Sequence, residues 1–209
     1  MFGDPVTNPK GWENVELGNV LEVKGGYAFK SSDYLEDSLG APLIRIGEVN
    51  RCDFASQNLA QLPFGFLEKY KKFVVKKGAI LMSLTGTVGK DDYANAVTLR
   101  GDTDQYLLNQ RVAELIPSPK LNSDYLHGVL ANEEIKGKLT GRSRGVRQAN
   151  ISNGDIKKLK VPLPSLKAQN LFASIVQSIE QQKARIQTHL TELDTLFASL
   201  QSRAFNGEL

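Results

Sequence analysis

Residues 165–204 have the sequence SLKAQNLFASIVQSIEQQKARIQTHLTELDTLFASLQSRA, in which one set of side chains recurs at alternating steps of four and three. Nine of the ten positions in this series are apolar, and the polar exception is Lys183. We call the series the apolar seam, and its members are Phe172, Val176, Ile179, Lys183, Ile186, Leu190, Leu193, Phe197, Leu200 and Ala204. No proline or glycine interrupts the stretch before Gly207. This heptad spacing predicts one long coiled-coil helix.

A helix that carries the whole seam is expected to be about 57 Å long, at 1.5 Å per residue. No upstream segment has the periodicity of a second helix of that length, so we expect the partner helix to come from another chain. The alternative is a core helix of the globular part. Lys183 is expected to fix the register or the choice of partner at some cost in stability.

The composition leaves room for one well-cored domain beside this helix, because 41% of the 209 residues are hydrophobic. Five lysines lie between Lys69 and Lys77, and eight basic residues lie between Lys136 and Lys160. The segment from Lys167 onward has four basic and four acidic residues. Positive charge is therefore concentrated on the globular part, where it indicates either a nucleic-acid interface or ordinary solvated surface.

The single cysteine, Cys52, excludes a disulfide framework and a cysteine-based metal site within one chain. No apolar run approaches the roughly 20 residues that a membrane span needs, and no signal peptide precedes Trp12. We therefore expect a cytoplasmic protein without a membrane partner.

Upstream of the helix, short apolar and β-branched runs bounded by glycine and proline predict strands. The runs are residues 20–23, 43–46, 73–75, 79–84, 93–99 and 111–116. We expect the third and fourth runs to be two strands around a turn. Short strands in succession predict an α+β fold with a small twisted, mainly antiparallel sheet and helices, followed by the long coiled-coil helix.

Capping residues predict the remaining helices. Ser123 is a plausible N-cap for one helix from Asp124 to about Leu139, and Ser152 with Asp155 has the spacing of a capping box. The extended stretch 161–164 then separates the globular part from Ser165, which is expected to cap the long helix. We therefore predict two domains, residues 1–164 and residues 165–209.

The sequence contains no convincing catalytic constellation. Gly86-Thr-Val-Gly-Lys90 resembles part of a phosphate-binding loop, but Leu84 and Asp91 stand where that motif needs glycine and a hydroxyl residue. A metal-binding nuclease pattern can be placed on Asp124…Glu134-Ile-Lys136 only with loose spacing. We expect no catalytic residue, no metal and no cofactor.

Three loops instead have a composition typical of nucleic-acid binding, at residues 27–34, 83–90 and 142–148. Glycine lets the backbone approach a phosphate, and hydroxyl groups donate hydrogen bonds to phosphate oxygens. Arginine and glutamine form bidentate hydrogen bonds with the edge of a base. Tyr27, Phe29 and Tyr34 are expected to pack between strands. The predicted DNA contacts are Lys30, Ser31, Arg45, Thr85, Thr87, Lys90, Arg142, Arg144, Arg147 and Gln148. For base contacts the leading candidates are Arg142, Arg144, Arg147 and Gln148. Lys30, Ser31, Thr85, Thr87 and Lys90 come next, ahead of the lysine cluster at residues 69–77.

The order of several short motifs along the chain is more specific than any one of them. The motifs are Gly25-Gly-Tyr-Ala-Phe-Lys-Ser-Ser32, Pro42-Leu-Ile-Arg-Ile-Gly47, Lys77-Gly-Ala-Ile-Leu-Met-Ser83, Asn109-Gln-Arg111, Gln148-Ala-Asn-Ile-Ser152, Val161-Pro-Leu-Pro164…Gln169 and Ala204-Phe-Asn-Gly-Glu-Leu209. Together they closely resemble the specificity subunit of type I restriction–modification enzymes. The resemblance covers essentially the whole chain.

Members of that family usually have two target-recognition domains, each followed by a long helix, and the two helices pack antiparallel between the half-sites of a split DNA target. This chain has one domain and one helix, so it resembles a half-size specificity subunit. Residues 1–5 resemble the junction between the two halves of longer members. Both a natural half-subunit and the C-terminal half of a longer chain therefore stay open.

The resemblance implies a non-catalytic chain that binds one half of a bipartite double-stranded DNA target. Methylation would belong to a methyltransferase subunit that docks on it, and cleavage to a restriction subunit reached through the complex. Residues 1–164 would be the target-recognition domain, and residues 165–209 the spacer and dimerisation helix, paired with a second copy or with a first-half chain. A symmetric pair implies an interrupted palindrome with a separation of at most about 17 base pairs.

Two other functions remain as alternatives. A coiled-coil adaptor without a nucleic-acid role would leave the basic loops as solvated surface. A stand-alone DNA nuclease or methyltransferase would show turnover without a partner.

Overall fold

The computed structural model describes residues 3–36, 39–50, 54, 58–87, 92–140 and 148–207. Within these ranges the chain forms twelve short strands, five α-helices and several 3₁₀ turns. The strands are β1 (Asn14–Glu16), β2 (Leu21–Gly25), β3 (Ala41–Ile44), β4 (Ala60–Leu62), β5 (Val74–Lys76), β6 (Ile80–Ser83), β7 (Thr85–Thr87), β8 (Ala96–Thr98), β9 (Gln105–Leu108), β10 (Val112–Pro117), β11 (Gln148–Asn150) and β12 (Lys160–Pro162). The helices are α1 (Gly65–Lys69), α2 (Ser123–Leu130), α3 (Glu133–Thr140), α4 (Asn153–Lys158) and α5 (Leu166–Phe205).

Two four-stranded sheets form the body of the globular part. The first has the strand order β2-β10-β6-β8 and is antiparallel throughout. The second has the order β4-β3-β9-β5, in which only the β3–β9 pair is parallel. The predicted α+β fold with mainly antiparallel pairing and a long C-terminal helix is therefore confirmed. Eight of the twelve described strands belong to these two sheets, and the other four form two separate two-stranded ladders.

Strand β6 has both faces buried, which explains its uninterrupted apolar run. Met82 belongs to a core that the first sheet shares with α2, α3 and α4. Leu81 points into a second core, which also contains Ile44 and Tyr106 of the second sheet. The expectation that residues 73–84 form two strands around a turn is confirmed, since β5 and β6 flank a turn at Lys77 and Gly78. The two strands belong to different sheets, because β5 pairs with β9 whereas β6 pairs with β10 and β8.

The single helix expected from Asp124 to Leu139 is in fact two helices. Asn122, and not Ser123, caps α2, because its side-chain oxygen accepts hydrogen bonds from the N–H groups of Asp124 and Tyr125. Asn132 interrupts the run in the same way, since its Oδ1 accepts from the N–H groups of Glu134 and Ile135 at 3.1 Å each. The capping box of Ser152 and Asp155 at α4 and the Ser165 cap of α5 are as predicted.

The start and the end of the globular part meet in a two-stranded ladder, in which β1 pairs antiparallel with β12. The N–H of Leu17 also donates to the carbonyl of Leu159 at 2.9 Å. Helix α5 follows directly and is about 60 Å long at 1.5 Å per residue. Among the described residues, no helix has the length and hydrophobicity that a membrane span requires.

Candidate nucleic-acid interface and exposed helix face

Two of the three loops expected to bind DNA are brought together by one ladder. Strand β7 pairs antiparallel with β11, so that Thr87 lies opposite Gln148 and Thr85 opposite Asn150. Lys90, Arg142, Arg144 and Arg147 lie outside the described residues, and for Gln148 only the backbone is described. The segments that contain these cations are nevertheless attached at facing positions, because one follows Thr87 and the other precedes Gln148.

The ladder is anchored to the core at its base. The N–H of Ile151, a residue only 2% exposed, donates to the carbonyl of Leu84 at 2.8 Å. Gly86 is necessary for the close approach of the next segment, since a Cβ there would overlap the side chains of Asp92 and Tyr93. Thr87 is exposed, and its N–H donates to Asp92 Oδ1 at 2.7 Å. Its hydroxyl is therefore presented to solvent on a fixed backbone.

The third loop is held by the second sheet. The N–H of Tyr27 donates to the carbonyl of Leu108 in β9, and the Tyr27 ring lies 4.8 Å from that of Tyr70 and 5.1 Å from that of Phe73. Phe29 is buried in one core with Leu43 of β3 and Leu107 of β9, as expected, whereas Tyr27 is 38% exposed and its ring contacts residues outside the strands. Lys30 and Ser31 are exposed at the start of a 3₁₀ turn, where they are available to a phosphate.

Arg45 has a partner within the chain. Its N–H donates to Glu48 Oε2 at 2.7 Å, and its guanidinium Nη2 lies 3.2 Å from Glu48 Oε1. Because the Glu48 carboxylate neutralises this cation and is itself buried, Arg45 is less available than the other candidates. Its role in DNA contact stays a prediction.

The described lysines of both basic clusters are exposed, with the exception of Lys136. In the first, Lys76 and Lys77 are exposed, while Lys69 Nζ lies 5.1 Å from the centroid of the Tyr70 ring. In the second, Lys136 is buried, and its Nζ donates to Asn95 Oδ1 at 2.7 Å. Lys136 therefore stabilises the interior, and it also cannot serve the loose nuclease pattern. Among the described residues, no group of three or more potential metal ligands is found.

The apolar seam of α5 is exposed along most of its length. Phe172 is half-buried, with its ring edge-to-face on Tyr125 at 6.1 Å, and Val176 is half-buried as well. Beyond them, the exposed fractions are 49% for Ile179, 68% for Ile186, 50% for Leu190, 62% for Leu193, 68% for Phe197 and 42% for Leu200. Phe172 is thus already engaged within the chain, and the accessible seam begins near Ile179.

Lys183 is the polar member of the seam, and it interacts with its own helix. Its Nζ donates to Glu180 Oε1 at 3.1 Å. This hydrogen bond, followed by the charge of Lys183, lowers the pKa of the Glu180 carboxyl, and Arg100 at 3.8 Å acts in the same direction. Lys183 therefore lies between exposed apolar residues, and the Glu180 carboxylate balances its charge.

Sequence reasoning did not single out every accessible apolar residue on α5. Leu171, Ile175 and Leu196 are also exposed, at 54%, 43% and 54%. They lie immediately beside the seam and widen it into a broader face. The available signal was the four-residue spacing of Leu171 and Ile175 ahead of Ile179.

Comparison with known proteins identifies the class to which this fold and helix belong. The sequence matches the family model of the type I restriction modification DNA specificity domain over residues 9–194. The chain therefore belongs to this family, and the resemblance drawn from its motifs is confirmed.

Its relatives are specificity subunits. The type I restriction enzyme MjaVIII specificity subunit of Methanocaldococcus jannaschii is 28% identical over 173 residues, which is 82% of this chain and 40% of that protein. The EcoBI specificity subunit of Escherichia coli is 24% identical over 96% of this chain and 42% of that protein. The chain thus spans less than half the length of these relatives. Membership of the DNA specificity domain family confirms the expectation of a non-enzymatic chain.

Solved structures share the fold. The HsdS subunit from Thermoanaerobacter tengcongensis superposes with a TM-score of 0.56 at 22% identity, over 96% of this chain and 46% of that one. A chain from a structure of type I R-M system assembly gives a TM-score of 0.61 at 20% identity, over 96% of this chain and 47% of that one.

Proposed function

We propose that the chain binds one half of a bipartite double-stranded DNA target for a type I restriction–modification system. The observation that carries the proposal is the family match over residues 9–194, which includes both the globular part and most of the long helix. In this proposal, residues 1–164 form the target-recognition domain, and residues 165–209 form the spacer and pairing helix.

The β7–β11 ladder supports a base-contacting role for the loops at its end. Arginine and glutamine side chains form bidentate hydrogen bonds with guanine and adenine edges. In the loop at residues 142–148 they are Arg142, Arg144, Arg147 and Gln148. Thr85 and Thr87 lie on the facing strand, and Lys90 follows that strand in the sequence. Exposed Lys30, Ser31 and the lysines near Lys76 would contact phosphates, which position the protein without selecting sequence.

The exposed seam supports pairing through α5. Contiguous exposed apolar surface of this kind is typical of an interaction site. An antiparallel second copy would bury the seam from Ile179 to Leu200 on both chains and place two identical domains about a twofold axis. The target would then be an interrupted palindrome. A first-half specificity chain is the alternative partner.

We further infer that the chain docks methyltransferase subunits and, through that complex, a restriction subunit. Methyl-donor binding and cleavage would belong to those partners. The assembly would act on DNA in the cytoplasm.

Selection from a library of randomised DNA tests the proposal, with the purified chain alone and with its methyltransferase subunit. We expect enrichment of two inverted half-sites at a fixed separation, and a dimer by light scattering. Binding that is uniform over sequences and abolished by salt would favour the coiled-coil adaptor. Turnover by the pure chain with DNA, metal and methyl donor would favour a stand-alone enzyme.

The replacement Arg144→Ala tests the base contacts. We expect a loss of about 1–3 kcal/mol on the selected target and little change on random DNA. Lys76→Ala is the matched control, because loss of a phosphate contact should weaken binding to all sequences alike. Fluorescence anisotropy titrations measure both. An equal loss on target and random DNA with Arg144→Ala would contradict base contact by this residue.

A further inference from the structure

Gln169 is the most deeply buried polar side chain at the start of α5. It is 0% exposed, although it belongs to a helix whose other half is entirely solvated. Its side-chain oxygen accepts a hydrogen bond from the N–H of Asn122 at 2.8 Å. Its Nε2 donates to the carbonyls of Pro164 at 2.8 Å and Lys120 at 3.2 Å. One amide group therefore joins three backbone positions to α5.

These bonds link α5 to the beginning of α2. Asn122, whose N–H is bound by Gln169, is also the N-cap of α2, and its Nδ2 donates to Asn170 Oδ1 at 3.0 Å. About two turns further along, Gln177 Nε2 donates to Asp124 Oδ2 at 2.9 Å. The polar contacts thus follow α5 from Gln169 to Gln177 and fix its direction relative to α2.

An apolar contact fixes the distance between the same two helices. A Cβ at Gly128 would lie 2.8 Å from Phe172 Cζ, so the absence of a side chain in α2 lets the Phe172 ring approach the helix directly. Ala173 beside it is 5% exposed. Residues 166–180, which we call the root of α5, therefore hold the helix by directional bonds and by close packing.

The angle at the root has a large effect on the spacing of DNA contacts. A domain of about 160 residues has a radius of gyration of about 15 Å, so its far side lies about 30 Å from the root. A rotation of about 7° there moves that side by about 3.5 Å, which is the rise of one base pair. A helix held loosely at its root would thus accept targets that differ by one base pair in separation.

We propose that Gln169 is a positioning residue that sets the angle between the target-recognition domain and α5, and thereby the half-site separation that the paired chains accept. The inference rests on the proposed function and adds to it the residue that determines the spacing. Its buried amide is suited to this role because hydrogen bonds are directional, whereas apolar packing alone permits sliding.

The test replaces Gln169 by methionine, which keeps the length of the side chain and removes the hydrogen bonds. Gln181→Met is the matched control, since Gln181 lies on the fully exposed half of the same helix. Asn170→Ala combined with Gln177→Ala is a milder second variant at the exposed edge of the root, in case Gln169→Met does not fold.

The first readout requires no DNA. Spin labels are attached at Lys76→Cys and Ser199→Cys in a Cys52→Ser background, and the labelled chain is diluted into unlabelled chain. We expect pulsed dipolar spectroscopy to show a broader distance distribution in Gln169→Met than in wild type or Gln181→Met. A distribution of unchanged width in the folded variant would overturn the positioning role.

The second readout is a series of DNA targets with constant half-sites and separations that differ by single base pairs. We expect the preference for the best separation to fall by about fivefold or more in Gln169→Met, because three hydrogen bonds that fix the angle are lost. Affinity for an isolated half-site should stay within about twofold. An unchanged preference would overturn the inference, whereas absence of DNA binding by the wild-type chain would overturn the proposed function itself.

Discussion

The two halves of α5 have the same apolar periodicity, but only the first half packs against the globular part. In the root, Gln169 and Ala173 are buried and Phe172 packs on Tyr125. From residue 181 to residue 207 every residue is exposed. A heptad pattern therefore predicts that a helix face becomes buried, but not that the whole face meets one surface. Here the first turns are satisfied within the chain, and the rest requires a partner.

The exposed half is not expected to be stable as an isolated helix. About 25 residues extend beyond the root, and a helix of that kind is only marginally stable in water without tertiary packing. Burial of a large apolar side chain such as Ile186, Leu190, Leu193 or Phe197 contributes roughly 1.5–3 kcal/mol. Pairing is therefore expected to stabilise the exposed half, while the root depends on the globular part.

The largest expected effect comes from charges in the exposed half. Ile186→Asp combined with Leu193→Asp removes two apolar contacts from each chain and introduces carboxylates that the interface cannot hydrate. Four side chains are lost per dimer, and at roughly 2 kcal/mol each we expect the dimer dissociation constant to rise by about a millionfold. Light scattering over a concentration series measures the change.

The matched control for that double replacement is Gln181→Asp combined with Thr188→Asp. Both positions lie on the same exposed half but on the face opposite the apolar seam, and the charge change is identical. A control that dissociates as readily as the first variant, or a first variant that stays dimeric, would show that the seam is not the pairing surface.

An effect of intermediate size is expected from replacing one phenylalanine in each half of α5. Phe172→Ala should lower the free energy of unfolding of the globular part by about 2–3 kcal/mol, because it leaves a cavity between Tyr125 and Gly128. Phe197→Ala, at a side chain 68% exposed, should leave that free energy within about 0.5 kcal/mol.

Urea denaturation of both variants should be performed in the Ile186→Asp, Leu193→Asp background, so that only monomers are compared. If both replacements lower the free energy of unfolding equally, the conclusion that only the first half of α5 packs against the globular part is wrong.

The smallest effect concerns Tyr125, whose hydroxyl donates to the Pro162 carbonyl at 2.7 Å beneath the root. Tyr125→Phe should cost about 1 kcal/mol at neutral pH, since one buried hydrogen bond is lost. Burial raises the pKa of Tyr125 from 10.0 to about 12. Between pH 10 and pH 12 the Tyr125 hydroxyl therefore stays protonated in the folded state but ionises in the unfolded state. The free energy of unfolding falls as the pH rises through this range.

Tyr125→Phe has no ionisable hydroxyl at this position, so it should not lose this part of its free energy of unfolding at alkaline pH. The free energies of unfolding of the wild type and the variant should therefore converge above pH 10. Thermal unfolding followed by circular dichroism between pH 7 and pH 11 measures the difference. A constant gap between the two curves up to pH 11 would contradict the raised pKa.

Much of the fold could be predicted because its signals are local. The apolar seam, the Ser165 cap and the capping box at Ser152 each depend on residues within a few positions of one another, and each is observed. The division of β5 and β6 between two sheets depends on partners remote in sequence. The choice of Asn122 over Ser123 as N-cap was not predictable either, since both residue types are good caps.

The candidate site shows the same limit. The sequence identified suitable loops from their composition, but the pairing of Thr87 with Gln148 across distant segments has no local signal. The motif that contains Gln169 has no signal for its burial, because a polar residue in the first turn of a helix is ordinarily solvated. Its three hydrogen bonds become visible only when α2 and α5 are placed together.

The ladder between β1 and β12 has a consequence for exchange of the globular part. Because Asn14–Glu16 lies beside Lys160–Pro162, the polypeptide enters and leaves this part at one point, next to the start of α5. Domains whose ends are adjacent tolerate insertion and transplantation. A different globular domain could thus replace the segment between β1 and β12, while the helix and its pairing face are retained.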